Sequence, residues 1–246
     1  MSGSIYQAAA GAIMQQARLD ILSNNLANVN TIGFKADLPI FRFDAATQDQ
    51  PSDSDSLPKL SPYVSPVDFA TDFSSGALRQ TGNPLDVAIV GDGFFEVRTP
   101  DGLQYTRKGR LSINAQGVLC TSDGFAVMGQ GGPIEIDGSR VAISEAGEVS
   151  VDGDIVDTLR IVDFEKPYQL RKAGAAQFMS PATNANPRTA PNARVAQGAV
   201  EASNVDTLRA MTEMIETLRV FESYQKVIRA ADDATAKTVN EVGNVA

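Results

Sequence analysis

The chain has 246 residues, 43% hydrophobic and 21% charged, with a formal net charge of -9 and a pI near 4.6. That length suits one large domain or two small ones with a real core. The acidic balance argues against nucleic acid as the main partner, because neutralising phosphates needs clustered Lys and Arg, and no apolar run is long enough for membrane insertion. With no histidine and a single cysteine, Cys120, no internal disulfide can form; Cys120 is expected to be a small buried strand residue without a functional role.

The N-terminal residues have no basic segment ahead of an apolar run, and the first cation is Arg18, so no cleaved secretory signal is expected. From Ile5 a three-four alternation runs through Ala9, Ala12, Gln16, Leu19, Ser23 and Leu26, widened by Ala8, Leu22 and Val29. This predicts an amphipathic helix with polar interruptions of the kind that set register in coiled coils. It should stop near Asn28, where Asn-Val-Asn-Thr-Ile-Gly follows and tolerates a left-handed helix end. The amides Asn24, Asn25, Asn28 and Asn30 exceed what a frayed end needs, which favours a role in setting register between helices.

Residues 44–66, rich in Asp, Ser, Pro and Gln, and 180–197, rich in Asn, Pro, Ala and Arg, read as extended connectors. Between them the period changes. Leu85–Val90, Phe94–Thr99, Leu111–Ile113 and Val118–Thr121 are short apolar runs, each ended by a turn containing Gly. A second set follows at Ile134, Val141, Val149 and Leu159–Phe164. No helical pattern separates these strands, so an antiparallel meander, small barrel or sandwich is expected.

From Met211 the three-four alternation returns through Met214, Leu218, Phe221, Gln225, Ile228, Asp232, Thr235, Val239 and Val242. Asn204 or Asp206 can cap this helix, and Glu213 and Glu216 suit the dipole of its early turns. The expected fold class is α+β. Long N- and C-terminal helices pair as a coiled-coil-like core, and an all-β domain is inserted between them. The expected division is 1–36 and 199–246 for the helices, 37–67 and 181–198 for connectors, and 68–180 for the β-domain.

Several motifs invite a chemical reading. Gly91-Asp-Gly93 and Gly129-Gln-Gly-Gly132 lack dinucleotide or Walker spacing and lead into no helix, so they read as turns. Asp152-Gly-Asp154 with Asp157 lacks the EF-hand spacing and its closing Glu. A paired-carboxylate glycosidase acting on the cell wall could recruit Glu96, Asp101 or Asp92. No His, Trp or nucleophile motif supports it. No catalytic residue, metal or cofactor is expected.

Four segments resemble the bacterial flagellar rod and hook axial family. They are Leu19–Lys35, which holds Ser-Asn-Asn-Leu-Ala-Asn before a Gly-Phe turn; Gly76–Phe95, with Gly-Asn-Pro-Leu-Asp-Val-Ala-Ile; Tyr105–Gly117; and Glu201-Ala-Ser-Asn-Val-Asp with the helix after it. Length, Met128–Ile134 and Ala231-Asp-Asp233 resemble the proximal, F-type rod subunits; the distal, G-type subunits remain the alternative. The resemblance implies a structural subunit of the basal body, located in the periplasmic space. It would be exported through the flagellar type III apparatus without a cleaved signal. It would pack its terminal helices into a tube around the export channel, beside other rod subunits and its own copies. Leu19, Leu22, Asn24, Asn25, Leu26, Asn28 and Phe34 at one end are the expected assembly interface. Asn204, Val205, Met211, Met214, Leu218, Phe221 and Ile228 complete it at the other.

Overall fold

The computed structural model describes residues 2–40, 68–166, 168–180, 187–190 and 192–243. Helix α1 is Ser2–Ala27, followed by strands β1 Asp37–Ile40, β2 Asp68–Thr71, β3 Leu78–Gln80, β4 Val87–Val90, β5 Phe94–Thr99 and β6 Gly102–Thr106. Next come β7 Leu111–Ile113, β8 Leu119–Thr121, β9 Ala126–Val127, β10 Val141–Ile143, β11 Glu148–Val151 and β12 Asp154–Thr158. The chain continues through β13 Ile161–Asp163, β14 Arg171–Lys172, β15 Gln177–Met179, β16 Arg188–Thr189, β17 Arg194–Gln197, β18 Ala199–Glu201 and helix α2 Thr207–Gly243. Contacts divide it into two units. One holds the described residues of Met1–Leu26, Asp37–Asp72 and Asp206–Ala246; the other holds those of Ala27–Ala36 and Phe73–Val205.

In the β unit every ladder is antiparallel, as the absence of crossover helices requires. The largest sheet runs β14-β15-β6-β5-β9-β8-β7, with β13 and β16 branching from β5. Its outer strands β14 and β7 do not pair with each other, so the sheet is open. This corrects the barrel expectation. The run from 180 to 197, which looks irregular in sequence, contains β16 and β17, and β17 pairs with β4 over four residues. Residues 44–66 lie outside the described residues, as do the side chains of Val239 and Val242.

β5 separates two cores. Phe95 and Val97 enter an aliphatic cluster with Val87, Ile89, Leu119, Ile134, Val149 and Leu159. Phe94 enters an aromatic cluster with Tyr105, Phe164 and Phe178, bordered by Phe73 and Tyr168. The period-two alternation of a strand makes this possible: Phe-Phe-Glu-Val is buried on both faces and so reads as a nearly continuous apolar run. The rings meet mostly edge to face, Phe73–Tyr168 at 5.0 Å and Tyr105–Phe164 at 4.8 Å. Burial, with an Asp163 carboxylate accepting the Tyr168 hydroxyl proton at 2.8 Å, pushes that phenol well above its ordinary range. Cys120 is buried in β8, and burial pushes its thiol up, away from the reactive thiolate.

In the helical unit, α1 ends at Ala27, and the Thr31 N–H closes the turn on Asn28 O at 3.0 Å. Asp206 caps α2 by accepting the Arg209 N–H at 3.1 Å. The helices meet at two described places. The Tyr224 ring lies over Gly11 so closely that a Cβ there would sit 2.6 Å from it. Arg18 faces Glu213 at 4.0 Å.

The junction of β4 with the turn before β7 is the tightest backbone approach of the β unit to test. Val87 N–H donates to Gly109 O at 2.8 Å, and a Cβ on Gly109 would overlap the Val87 carbonyl. Gly109→Ala is therefore expected to cost about 1–3 kcal/mol. Urea unfolding followed by tyrosine fluorescence checks this, with Gly102→Ala as a control: that position has open space, although its φ of 117° adds backbone strain.

Candidate assembly interface

The charged centre of the β unit is one carboxylate. Glu201, at the end of β18, is 1% exposed. Its Oε1 accepts from Lys35 Nζ at 2.7 Å and from Gly76 N–H at 2.9 Å. Its Oε2 accepts from Arg107 Nη1 at 3.1 Å. The cations are held in turn: Lys35 Nζ donates to Ser74 O at 2.6 Å and Arg107 Nη2 to Gly91 O at 2.7 Å. Arg107 also lies over the Phe94 ring, 5.4 Å from its centre. Three glycines let the backbones close around it. Gly33 has φ +69° and abuts the Arg107 backbone, Gly76 abuts Ala202 O, and Gly109 abuts Val87 O. Sequence reasoning quoted Lys35, Arg107 and Glu201 within three motifs but did not single them out. Each segment holds further charges, Asp20, Lys108, Arg110 and Asp206 among them, so the sequence does not mark which ones meet.

The expected interface residues fall into three groups. The first is occupied within the chain. Asn25 is buried and pairs with the backbone of Asp37, donating to its O at 2.8 Å and accepting from its N at 2.9 Å. Asn28 Oδ1 accepts from Thr31 Oγ1 at 3.1 Å. Asn204 Oδ1 accepts from Ala36 N–H at 2.8 Å, and its amide donates to Ser74 Oγ at 3.1 Å. Phe34 is buried under Lys172, whose Nζ lies 4.3 Å from the ring centre and donates to Lys35 O at 2.6 Å.

The second group is the covered side of the helices. Leu22 is buried, and Leu19, Leu26, Val205, Met214, Phe221 and Ile228 are half-buried. The covered face of α2 runs Ala210, Met214, Thr217, Phe221, Tyr224, Ile228 and Ala231, so it is rotated from the apolar stripe read in the sequence. Ala210 and Thr217 are buried where the stripe has the exposed Met211 and Leu218, while Tyr224 and Gln225 are both half-buried.

The third group is exposed: Asn24, Met211 and Leu218. On α2, Leu208 and Ile215 join the last two in one outward apolar row at helical spacing.

The acidic motifs are also accounted for. Asp157 accepts from Gly131 N–H at 3.2 Å and from Thr158 N–H at 2.7 Å. Asp152 accepts from Ser139 N–H and Arg140 N–H, each at 3.1 Å. These carboxylates hold turns. Buried Glu96 faces Arg160 at 3.4 Å, and exposed Asp92 faces Lys166 at 2.8 Å, so each is matched with a cation.

Three family models match the chain. The one described as flagella basal body rod protein covers residues 5–35. The flagellar hook protein FlgE/F/G D1 domain covers 88–151. The flagellar basal body rod FlgEFG protein C-terminal model covers 196–241. The chain is 32% identical to the flagellar basal-body rod protein FlgF of Caulobacter vibrioides, over the whole of both chains in an alignment of 248 positions. It is 33% identical to FlgF of Salmonella typhimurium over 95% of each chain. It is also 33% identical to FlgG of Bacillus subtilis, over 98% of this chain and 99% of that one, in 263 positions.

Removing one partner of a buried ion pair costs roughly 3–5 kcal/mol, because the other charge is left unmatched. Glu201→Gln strands two cations and is expected to lose about that much. Lys35→Met, which leaves Arg107 to neutralise the carboxylate, should lose less. Denaturant unfolding of both variants measures it; equal losses would show that Arg107 does not share the carboxylate.

Proposed function

The chain belongs to the family of flagellar basal-body rod proteins, and on that footing we propose that it is the proximal, F-type subunit, polymerising through its terminal segments into the rod around the export channel. The family is one of structural rod and hook components, not of enzymes, and this chain is a structural subunit. Length supports the F type: the alignment with the Caulobacter FlgF runs to 248 positions for a chain of 246 residues, whereas the FlgG alignment runs to 263. The distal, G-type assignment is the alternative, since overall identity does not separate the two. Other rod and hook-basal-body components are its neighbours, and its own copies join them. It reaches the periplasmic space through the flagellar type III apparatus without a cleaved signal.

The observation that carries the polymerisation reading is the division of α2 into two apolar faces. One is covered by its own chain. The other, Leu208, Met211, Ile215 and Leu218, is open to solvent in the monomer. Burying a Leu-sized side chain is worth roughly 1.5–3 kcal/mol, so four in a row favour helix-on-helix packing with a neighbour. In this reading the two helices of one chain pair as a coiled-coil-like unit, supported by the Gly11–Tyr224 approach, and the outward row joins units. Asn24 stands beside such a seam, while Asn25, Asn28 and Asn204 shape the chain that presents it.

Leu218 is 43% exposed, so a charge there is solvated in the monomer and buried only in the polymer. Leu218→Asp is expected to leave the β unit folded and the protein exportable, yet to abolish rod incorporation and swimming. Arg219→Asp, one residue away and off the row, should be milder. Swimming assays, periplasmic secretion and thermal melting of both variants separate the cases, and normal swimming by Leu218→Asp would refute this seam.

A further inference from the structure

Two strand edges of the β unit stand open, and their surroundings are opposite in charge. Among the described residues β12 ends the three-stranded sheet and has β11 as its one partner strand; Gln130 N–H donates to Thr158 O at 3.0 Å at its far end, so the open stretch is Asp154–Val156. The register shifts at Val149/Ser150, which leaves Val156 opposite no residue of β11. Ile155 and Val156 are 67% and 46% exposed. From Val141 to Leu159 the sequence has carboxylates at Glu145, Glu148, Asp152, Asp154 and Asp157, and no Lys or Arg.

Among the described residues β3 pairs with β18 alone, and residues 77–84 are exposed throughout. Leu78 is 49% exposed, and Arg79 is the one charged residue between Phe73 and Leu85. A guarded edge usually carries charge or Pro on the strand itself. β12 carries two acids on the strand itself, Asp154 and Asp157, with the exposed apolar pair Ile155 and Val156 between them, and β3 carries Arg79, so each edge repels its like and admits its opposite.

We propose that β12 of one copy of this chain pairs edge to edge with β3 of a second copy. Ile155 and Val156 pack against Leu78, and Asp154 faces Arg79. The occupant is a copy of this chain because the acidic, apolar edge and the basic, apolar edge are both present on the same β unit and complement one another. Strand addition satisfies the backbone groups of both edges, and the side chains select the partner. Because the two edges differ, the contact is head-to-tail and propagates instead of closing a dimer. The inference rests on the reading that copies of the chain polymerise. It adds a second contact, in the β unit, to the seam on α2.

Opposed strands bring Cα atoms to about 4.5–5.5 Å, within disulfide range. The test uses full-length chain carrying Cys120→Ser, with Leu78→Cys combined with Ile155→Cys or with Val156→Cys. Isolated basal bodies are oxidised mildly. At least one double variant is expected to give disulfide-linked multimers of this chain, and the single variants none. In parallel, Asp154→Lys is expected to lower rod incorporation about tenfold by setting a cation against Arg79, and adding Arg79→Glu to the same chain to restore it. Asp154 and Arg79 are both exposed, so folding is not at stake. Rods that contain both double variants but show no crosslink overturn the proposal, as does a crosslink from Ile155→Cys to a different protein. Unmodified chain missing from basal bodies would instead overturn the polymer reading.

Discussion

Glu201 holds two cations and a backbone N–H in a place that water does not reach. A carboxylate so placed tolerates little movement, because every partner lost leaves a charge unmatched in a low-dielectric site. The segments that meet there are distant in sequence; Lys35 and Glu201 are 166 residues apart. The segment after α1, the start of the β unit near Ser74 and Gly76, the end of β6 and the strand before α2 are all fixed by one group. The glycines at 33, 76 and 109 are the counterpart of that constraint, since each meets another stretch of backbone where a Cβ would collide. The aromatic cluster under Arg107 adds packing that does not depend on charge.

Much of this was legible in the sequence, and the gaps have physical causes. The two helices, their ends near Asn28 and Asp206, and the antiparallel strands follow from period, turns and caps, which are local. Sheet closure is not local: whether β7 meets β14 depends on twist and on the branch at β5, and no residue pattern records it. β17 was hidden for a similar reason. Ala and Arg are weak strand formers, and Arg194–Gln197 is a strand because β4 offers it an edge. The apolar stripe read on α2 holds both covered and exposed residues, because hydrophobicity marks every apolar residue alike. Leu218 and Thr217 are neighbours, and the structure buries the threonine.

The candidate site was legible in part. The amides at 25, 28 and 204 stood out, but Asn25 and Asn204 are held by backbone groups of Asp37 and Ala36, which leave no trace in composition. The acids at 152 and 157 cluster in a way that suggests a cation, yet the structure gives them N–H groups of neighbouring turns. The same electrostatic need, a cluster of donors for a carboxylate, is met by the chain itself.

The insertion of the β unit has a consequence beyond this chain. Lys35 and Glu201 share one ion pair, so two stretches of the β unit 166 residues apart are pinned side by side. What lies between can lengthen, shrink or be exchanged without shifting the points where the chain arrives and departs. An alignment that needs 263 positions to match a chain of 246 residues is the kind of difference this arrangement absorbs. The ion pair therefore acts as a socket: segments far apart in sequence keep one meeting point whatever the length of chain between them.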